Sequence, residues 1–173
     1  CYRNESEADM NKRIEILKHP NHPRRMFIVD IENAIGCGVI SDDRVKQLKY
    51  RIEETYGCNE DDLVVIGVSH SKNAFPARCW KGARIVLKHG ENGADLALKR
   101  VMQTEDLASR FGEVVIVSGD GIFAKEAKAL KQEGARVLID SALDSVASKM
   151  IQMASIANMH TSTNKVYQLR LAA

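Results

Sequence analysis

The chain has 173 residues, 45% of them hydrophobic and 28% charged, with a formal net charge of +2. That is the size and balance of one globular domain with one core, and it excludes a molecule that traps polyanions by bulk charge. No apolar run reaches the roughly 18 residues of a membrane span, so no membrane partner is expected.

In chain order, residues 1–24 read as a weakly ordered arm. A short helix over Asn11–Lys18 is broken by His19-Pro20-Asn21-His22-Pro23, because each proline restricts the residue before it. The domain proper spans 25–160. Met26–Ile31 is a buried strand. Ser41 caps a helix with Val45, Leu48, Ile52 and Tyr56 at helical spacing, and Gly57 stops it. Leu63–Val68 is a second strand. Asn73–Trp80 is a short helix interrupted by Pro76, and Arg84–Lys88 a third strand. After a loop at His89–Gly93, Ala94–Arg110 reads as one helix. Glu113–Val117 is the fourth strand, Ile122–Glu133 a helix ended by Gly134, and Arg136–Ile139 the fifth strand. Ser141–His160 reads as a long helix, whose methionine-rich stretch Lys149–Met159 is either core or an oligomer surface. Residues 161–173 are a tail or an added strand from Val166 to Leu171. Alternating strands and helices imply right-handed crossovers and a mostly parallel sheet of five strands.

Chemistry gathers where apolar strands end. Asp30 ends the first strand, in Asp30-Ile31-Glu32-Asn33. Asp120 follows the fourth, in Ser118-Gly119-Asp120-Gly121. Asp95 opens a helix after two glycines. Each has a plain structural reading as a cap, turn or dipole partner. Together, at the carboxyl edge of a parallel sheet, they suit a hard divalent cation held through oxygen. Asn33 and Ser118 are the polar groups beside them, and Glu32 points elsewhere if the strand continues. Asp140 and Asp144 are marginal additions. The full Gly-x-Gly-x-x-Gly pattern, a Walker loop and serine or cysteine nucleophile signatures are missing. Cys1, Cys37, Cys58 and Cys79 form no Cys-x-x-Cys pair, which speaks against a zinc knuckle or disulfide framework and for a reducing, cytoplasmic setting.

From Ser69 to Gly90 there is no acidic residue. Lys72, Arg78, Lys81 and Lys88 are the side chains expected on a nucleic-acid backbone, with Trp80 as a stacking platform. The other reading is a solvated basic face with Phe75 and Trp80 in the core.

Phe27-Ile28-Val29-Asp30-Ile31-Glu32-Asn33, Gly93-Ala94-Asp95-Leu96-Ala97-Leu98 and Val115-Ile116-Val117-Ser118-Gly119-Asp120-Gly121-Ile122-Phe123 resemble, in order and spacing, the three acidic motifs of NYN domains in the PIN-like nuclease superfamily. The resemblance runs from about Met26 to Asp140. It implies a PIN-like α/β/α sandwich and a Mg2+- or Mn2+-dependent ribonuclease acting on single-stranded RNA. Asp30, Asp95 and Asp120 fall on its metal-binding positions, and Asn33 and Ser118 on the polar positions beside them. Many relatives carry a further acid after the third-motif aspartate, where this chain has Gly121-Ile122. Such domains often pair or work inside larger proteins. Two rivals stand beside the nuclease: an inactive RNA-binding or adaptor module, and a phosphatase or nucleotidase.

Overall fold

The computed structural model describes residues 23–36, 40–161 and 166–170. The strands are β1 (Arg25–Asp30), β2 (Leu63–Val68), β3 (Arg84–Leu87), β4 (Glu113–Val117), β5 (Arg136–Ala142), β6 (Ile156–His160) and β7 (Val166–Arg170). The helices are α1 (Ile31–Ile35), α2 (Asp42–Tyr56), α3 (Ser71–Ala77), α4 (Gly93–Thr104), α5 (Leu107–Arg110), α6 (Ala124–Gln132) and α7 (Ser148–Met153), with a 3-10 turn at Gly121–Phe123. One sheet runs in the order β3-β2-β1-β4-β5-β6-β7. Its pairings are parallel except β6 with β7. The arm helix at Asn11–Lys18 lies outside the described residues.

The sheet has seven strands rather than five, and the correction lies in its second half. The long helix expected over Ser141–His160 does not form. β5 continues to Ala142, α7 covers only Ser148–Met153, and Ile156–His160 pairs in parallel with β5. Leu143, Val146, Met150 and Met153 do carry helical spacing. Ile156 and Ala157 are nevertheless buried as strand residues, because β5 would otherwise be an unpaired edge beside two apolar layers. The methionine stretch Lys149–Met159 is thus split between helix and strand, with Met150 in the core. Val166–Arg170 is the added strand, exposed along its length at the sheet edge.

Two smaller breaks have local causes. Asp106 adopts a left-handed conformation, φ 49°, which ends α4 at Thr104 and separates α5 from it. Gly121–Phe123 winds as a 3-10 turn before α6, so that helix starts at Ala124. Elsewhere the caps follow side-chain chemistry: Ser41 Oγ accepts from Arg44 N at 3.4 Å, and Gly57 closes α2 in the left-handed region.

Burial on both faces explains the apolar runs Met26–Val29 of β1 and Val114–Val117 of β4. Met26, Ile28, Val65, Val114 and Ile116 pack under α4, α6 and α7. Phe27, Val29, Ile66, Val115 and Val117 pack under α2 and the α3 corner. Arg25 anchors the opposite edge. It is buried and donates to the Tyr56 and Gly57 carbonyls at 2.7 and 3.0 Å and to Asp62 at 2.7 Å. It thereby supplies donors to the open carbonyl end of α2.

Candidate active site

The chain leaves β1 toward β2 on one side, whereas β4 leads to β5 on the other, so the winding reverses between β1 and β4. In an open α/β sheet a crevice forms outside the carboxyl ends at such a point. Asp30 ends β1 there, and Ser118 follows β4 beside it.

Asp30 is buried and N-caps α1: its Oδ1 accepts from Asn33 N at 3.3 Å. Its Oδ2 accepts from the Ser118 hydroxyl at 3.2 Å. The helix begins directly at Ile31, which swings Asn33 across the crevice, where its Oδ1 accepts from Gly119 N at 3.0 Å. Ser118 Oγ also accepts from Asp120 N at 3.2 Å, and Asp120 Oδ1 caps the 3-10 turn through Ile122 N at 2.9 Å. Asp30, Asn33, Ser118 and Asp120 thus form one hydrogen-bonded unit built from two loops. The cap role and a ligand role coexist, because each oxygen of an ionised carboxylate has a lone pair beyond the one its hydrogen bond uses.

Asp95 arrives from the third element. Gly93 starts α4 where a Cβ would lie 1.8 Å from the Lys88 carbonyl oxygen, so only glycine lets this turn close. Asp95 follows in the first helical turn and is buried. Burial, then the Asp95 charge, push the Asp30 carboxyl up to about 7, and the two carboxyls share a hydrogen bond. Burial first, and next the Asp120 charge, raise Asp95 as well. The base acting on Asp95 is Lys99, which itself lies 3.5 Å from Glu126. Negative charge is thus concentrated at the crevice against its own repulsion. Among the described residues, no three acidic, histidine or cysteine side chains are drawn close enough to hold one metal ion between them.

Glu32, carried by the helix rather than the strand, reaches to the β2–α3 corner, and its charge still acts on Asp95 and helps raise it. It accepts from Ser69 N at 3.0 Å, from Ser69 Oγ and from Asn73 Nδ2 at 2.7 Å. Those donors hold its carboxyl below the usual range, against a partial burial that raises it. Glu32 therefore ties α1 to the β2–α3 corner, which brings the basic stretch to the same edge.

On that stretch Lys72, Arg78, Lys81 and Lys88 are exposed. Trp80 is not a stacking platform: only 4% of it is exposed, and it packs in the core with Val68 and Ala77. The exposed aromatic is Phe75, 68% accessible, with the Arg78 guanidinium 5.2 Å from its ring centroid. Lys72, Phe75 and Arg78 fall three residues apart, one stripe on the outside of α3. Cys58 and Cys79 are free thiols.

A second polar group beside the crevice was not readable in the sequence. Asp140, fully buried within β5, accepts from Arg51 Nη1 at 2.8 Å and from Tyr56 OH at 3.0 Å, and pairs with His160 Nε2 at 2.8 Å. Asn158 Nδ2 donates to the Tyr56 oxygen at 2.8 Å. Burial raises the Asp140 carboxyl, but His160 and Arg51 outweigh it and leave it lowered. Asp140 is therefore a satisfied structural charge, and Asp144 is exposed beyond the strand. The signal available was weak: an apolar strand interrupted by Asp140, with Arg51 facing inward one turn before Tyr56.

Among the described residues no helix is long and apolar enough to cross a membrane. No family model and no curated protein matches this sequence. The fold is similar to the crystal structure of a protein of unknown function from Vibrio parahaemolyticus, at 14% identity and a TM-score of 0.58, over 86% of this chain and 99% of that one. The likeness extends through a whole independent chain, and what it shows is an α/β architecture with helices flanking a mostly parallel sheet.

Proposed function

We propose that the protein is a PIN-like, metal-dependent ribonuclease of the NYN type. The observation that carries this reading is the meeting of Asp30, Asp95 and the Asp120 turn at the crevice between β1 and β4, with the Asp30 and Asp95 carboxyls raised by burial and neighbouring negative charge. The donors are all carboxylate oxygens, which suit Mg2+ or Mn2+, and a cation would relieve the repulsion that raises Asp30 and Asp95. They close no three-ligand cage, which fits an ion that keeps several waters.

Asp30, Asp95 and Asp120 would hold the ion in part through waters it keeps, and when bound it would lower the pKa of water and neutralise phosphoryl charge. The chain's own residues do the positioning. Ser118 fixes one Asp30 oxygen and the start of the Asp120 turn through the same hydroxyl. Asn33 locks the Gly119 amide, and its NH2 is the donor on this edge for a phosphate oxygen. Lys72 and Arg78 track the backbone of single-stranded RNA, and Phe75 rather than Trp80 supplies the surface on which a base stacks.

An RNA-binding module without catalysis is the second reading. Two observations favour it: the absence of a closed three-carboxylate group among the described residues, and Lys149. A Cβ at Gly121 would lie 1.8 Å from Lys149 Cε, so a lysine stem lies against the position where relatives of the resembled family often carry another acid. Cleavage of labelled single-stranded RNA with Mn2+, Mg2+ or EDTA separates the two. The nuclease reading expects metal-dependent cleavage that Asp120→Asn abolishes. Metal-independent RNA binding without cleavage would select the adaptor.

A further inference from the structure

A cavity of about 590 Å3 opens beside the acidic crevice, on the side of β5 and β6. Asn33 and Ser118 form its near wall, and these are the two side chains that hold Asp30 and the Asp120 turn. Its floor is Arg51, Asp140 and His160, and its apolar sides include Ile35, Ala142 and Leu143. We propose that this cavity takes the base of the nucleotide next to the scissile phosphate and gives the enzyme a base preference. The proposal rests on the nuclease reading and specifies its substrate.

Three features select a base over a phosphate or an apolar group. First, the volume lies within the roughly 300–1,000 Å3 of small-molecule sites. Second, the floor has no spare positive charge. Arg51 is bound at 2.8 Å to Asp140, and Asp144 adds another acid to the lining. A phosphate would meet two carboxylates there, whereas a neutral heterocycle would not. Third, the hydrogen-bonding capacity is fixed. Arg51 and Tyr56 hold Asp140, which holds His160 through Nε2. His160 is 7% exposed; its Nε2 is taken by Asp140 and its Nδ1 is shut off from the cavity, so the ring contributes a face and no free nitrogen. Ser141 adds a hydroxyl to the lining. Apolar walls around a held polar floor match the flat faces and polar edge of a nucleobase.

The test uses Ala142→Trp, which fills the cavity from an exposed position outside the hydrogen-bonded catalytic unit, and Leu143→Ser, which removes an apolar wall. Randomised single-stranded RNA is cleaved with Mn2+, and the bases flanking each cut are counted by sequencing. In parallel, the four nucleosides and inorganic phosphate are titrated into the protein and followed by NMR. The expected result is a preference of about tenfold or more at one flanking position, lost in Ala142→Trp while total cleavage persists. Nucleoside binding should be lost in the same variant and weakened in Leu143→Ser, with no phosphate binding in the cavity. Cleavage that is indifferent to the flanking bases in the wild type, or a preference unchanged in both variants, overturns the pocket and leaves the nuclease standing. If no RNA is cut, the nuclease reading has failed. The titration then decides the pocket alone: nucleoside binding sensitive to Ala142→Trp retains it, and no binding overturns it.

Discussion

Asp30→Asn should make the metal-free protein more stable at alkaline pH and leave it unchanged in acid. The Asp30 carboxyl titrates near 7 in the folded protein instead of its ordinary 3.8, because burial and the Asp95 charge oppose its ionisation. The sign follows from linkage. A carboxyl raised in the folded state favours folding fully below 3.8, and that contribution is lost as pH rises toward and through about 7. The gap corresponds to at most about 4.5 kcal/mol, at about 1.4 kcal/mol per tenfold change in the protonation equilibrium. Local relaxation and water entry reduce this to roughly 2 kcal/mol, which is about 4–8 °C in melting temperature for a chain of this size. Asparagine suits the position: its oxygen accepts from Asn33 N, and its NH2 is the right partner for the ionised Asp95. The assay is thermal or urea denaturation of both proteins in EDTA from pH 4.5 to 8.5. The variant's advantage should be small at pH 4.5, grow as pH rises toward 7, and level off above about pH 7. Adding Mg2+ at pH 8 should raise the wild type toward the variant without moving the variant comparably. A variant less stable than wild type at every pH, or a difference that does not change with pH, would refute the claim that Asp30 is ionised against its surroundings.

Other substitutions probe separate links. Phe75→Ala should weaken single-stranded RNA binding by about 1–2 kcal/mol with its salt dependence unchanged, whereas Lys72→Ala should flatten the salt slope by about 0.7; fluorescence titration at several salt concentrations distinguishes stacking from charge. Gly119→Ala would put a Cβ 2.3 Å from Ser141 Oγ and 2.6 Å from the Ser145 carbonyl oxygen. Because a backbone carbonyl cannot swing aside, the cost should be about 1–3 kcal/mol, and single-turnover cleavage should fall further than RNA affinity as the Asp120 turn shifts. Asp140→Ala should lose about 3–5 kcal/mol at neutral pH by stranding Arg51 beside His160. Since the Asp140 carboxyl is lowered when folded, its contribution is present above 3.8 and lost in stronger acid, so urea midpoints of the two proteins should converge there.

The first half of the fold is legible because its signals are local. β1, β2 and β4 are short apolar runs bounded by turn residues, and Ser41 with Gly57 brackets α2. Asp30, Asn33, Ser118 and Asp120 are legible for the same reason: each pair sits within one strand-to-loop junction. The second half failed where tertiary contacts overrule spacing. Leu143, Val146, Met150 and Met153 fit a helix on periodicity, but Ile156–His160 is required as a neighbour for β5, and no local pattern states that requirement. Trp80 was misplaced because a basic run does not reveal which of its aromatics faces inward. On α3 the burial of Pro76 and Ala77 turns Phe75 out, while Trp80 follows the helix into the core.

Two buried aspartates on the strands either side of β4 show how the edge divides its labour. Asp30 ends β1, β4 lies next to it, and Asp140 pairs in register with Val117 of β4. Both are buried, so solvent exclusion alone would raise both. Asp140 is lowered because His160 and Arg51 reach it from β6 and α2 and outweigh its burial, whereas Asp30 is raised by its burial, to which the Asp95 charge adds. The partners of Asp140 are protein groups, which makes that half of the edge a fixed frame for the cavity. The partners of Asp30 are a hydroxyl donor, an amide donor and a competing acid, with no cation among the groups that shift it. Residues 51, 140 and 160 are far apart in sequence, and only the register of β4, β5 and β6 brings them to one place. Environments that push two like groups in opposite directions mark where chemistry and support separate, and here that boundary falls on Ser118, which binds Asp30 and lines the cavity toward Asp140.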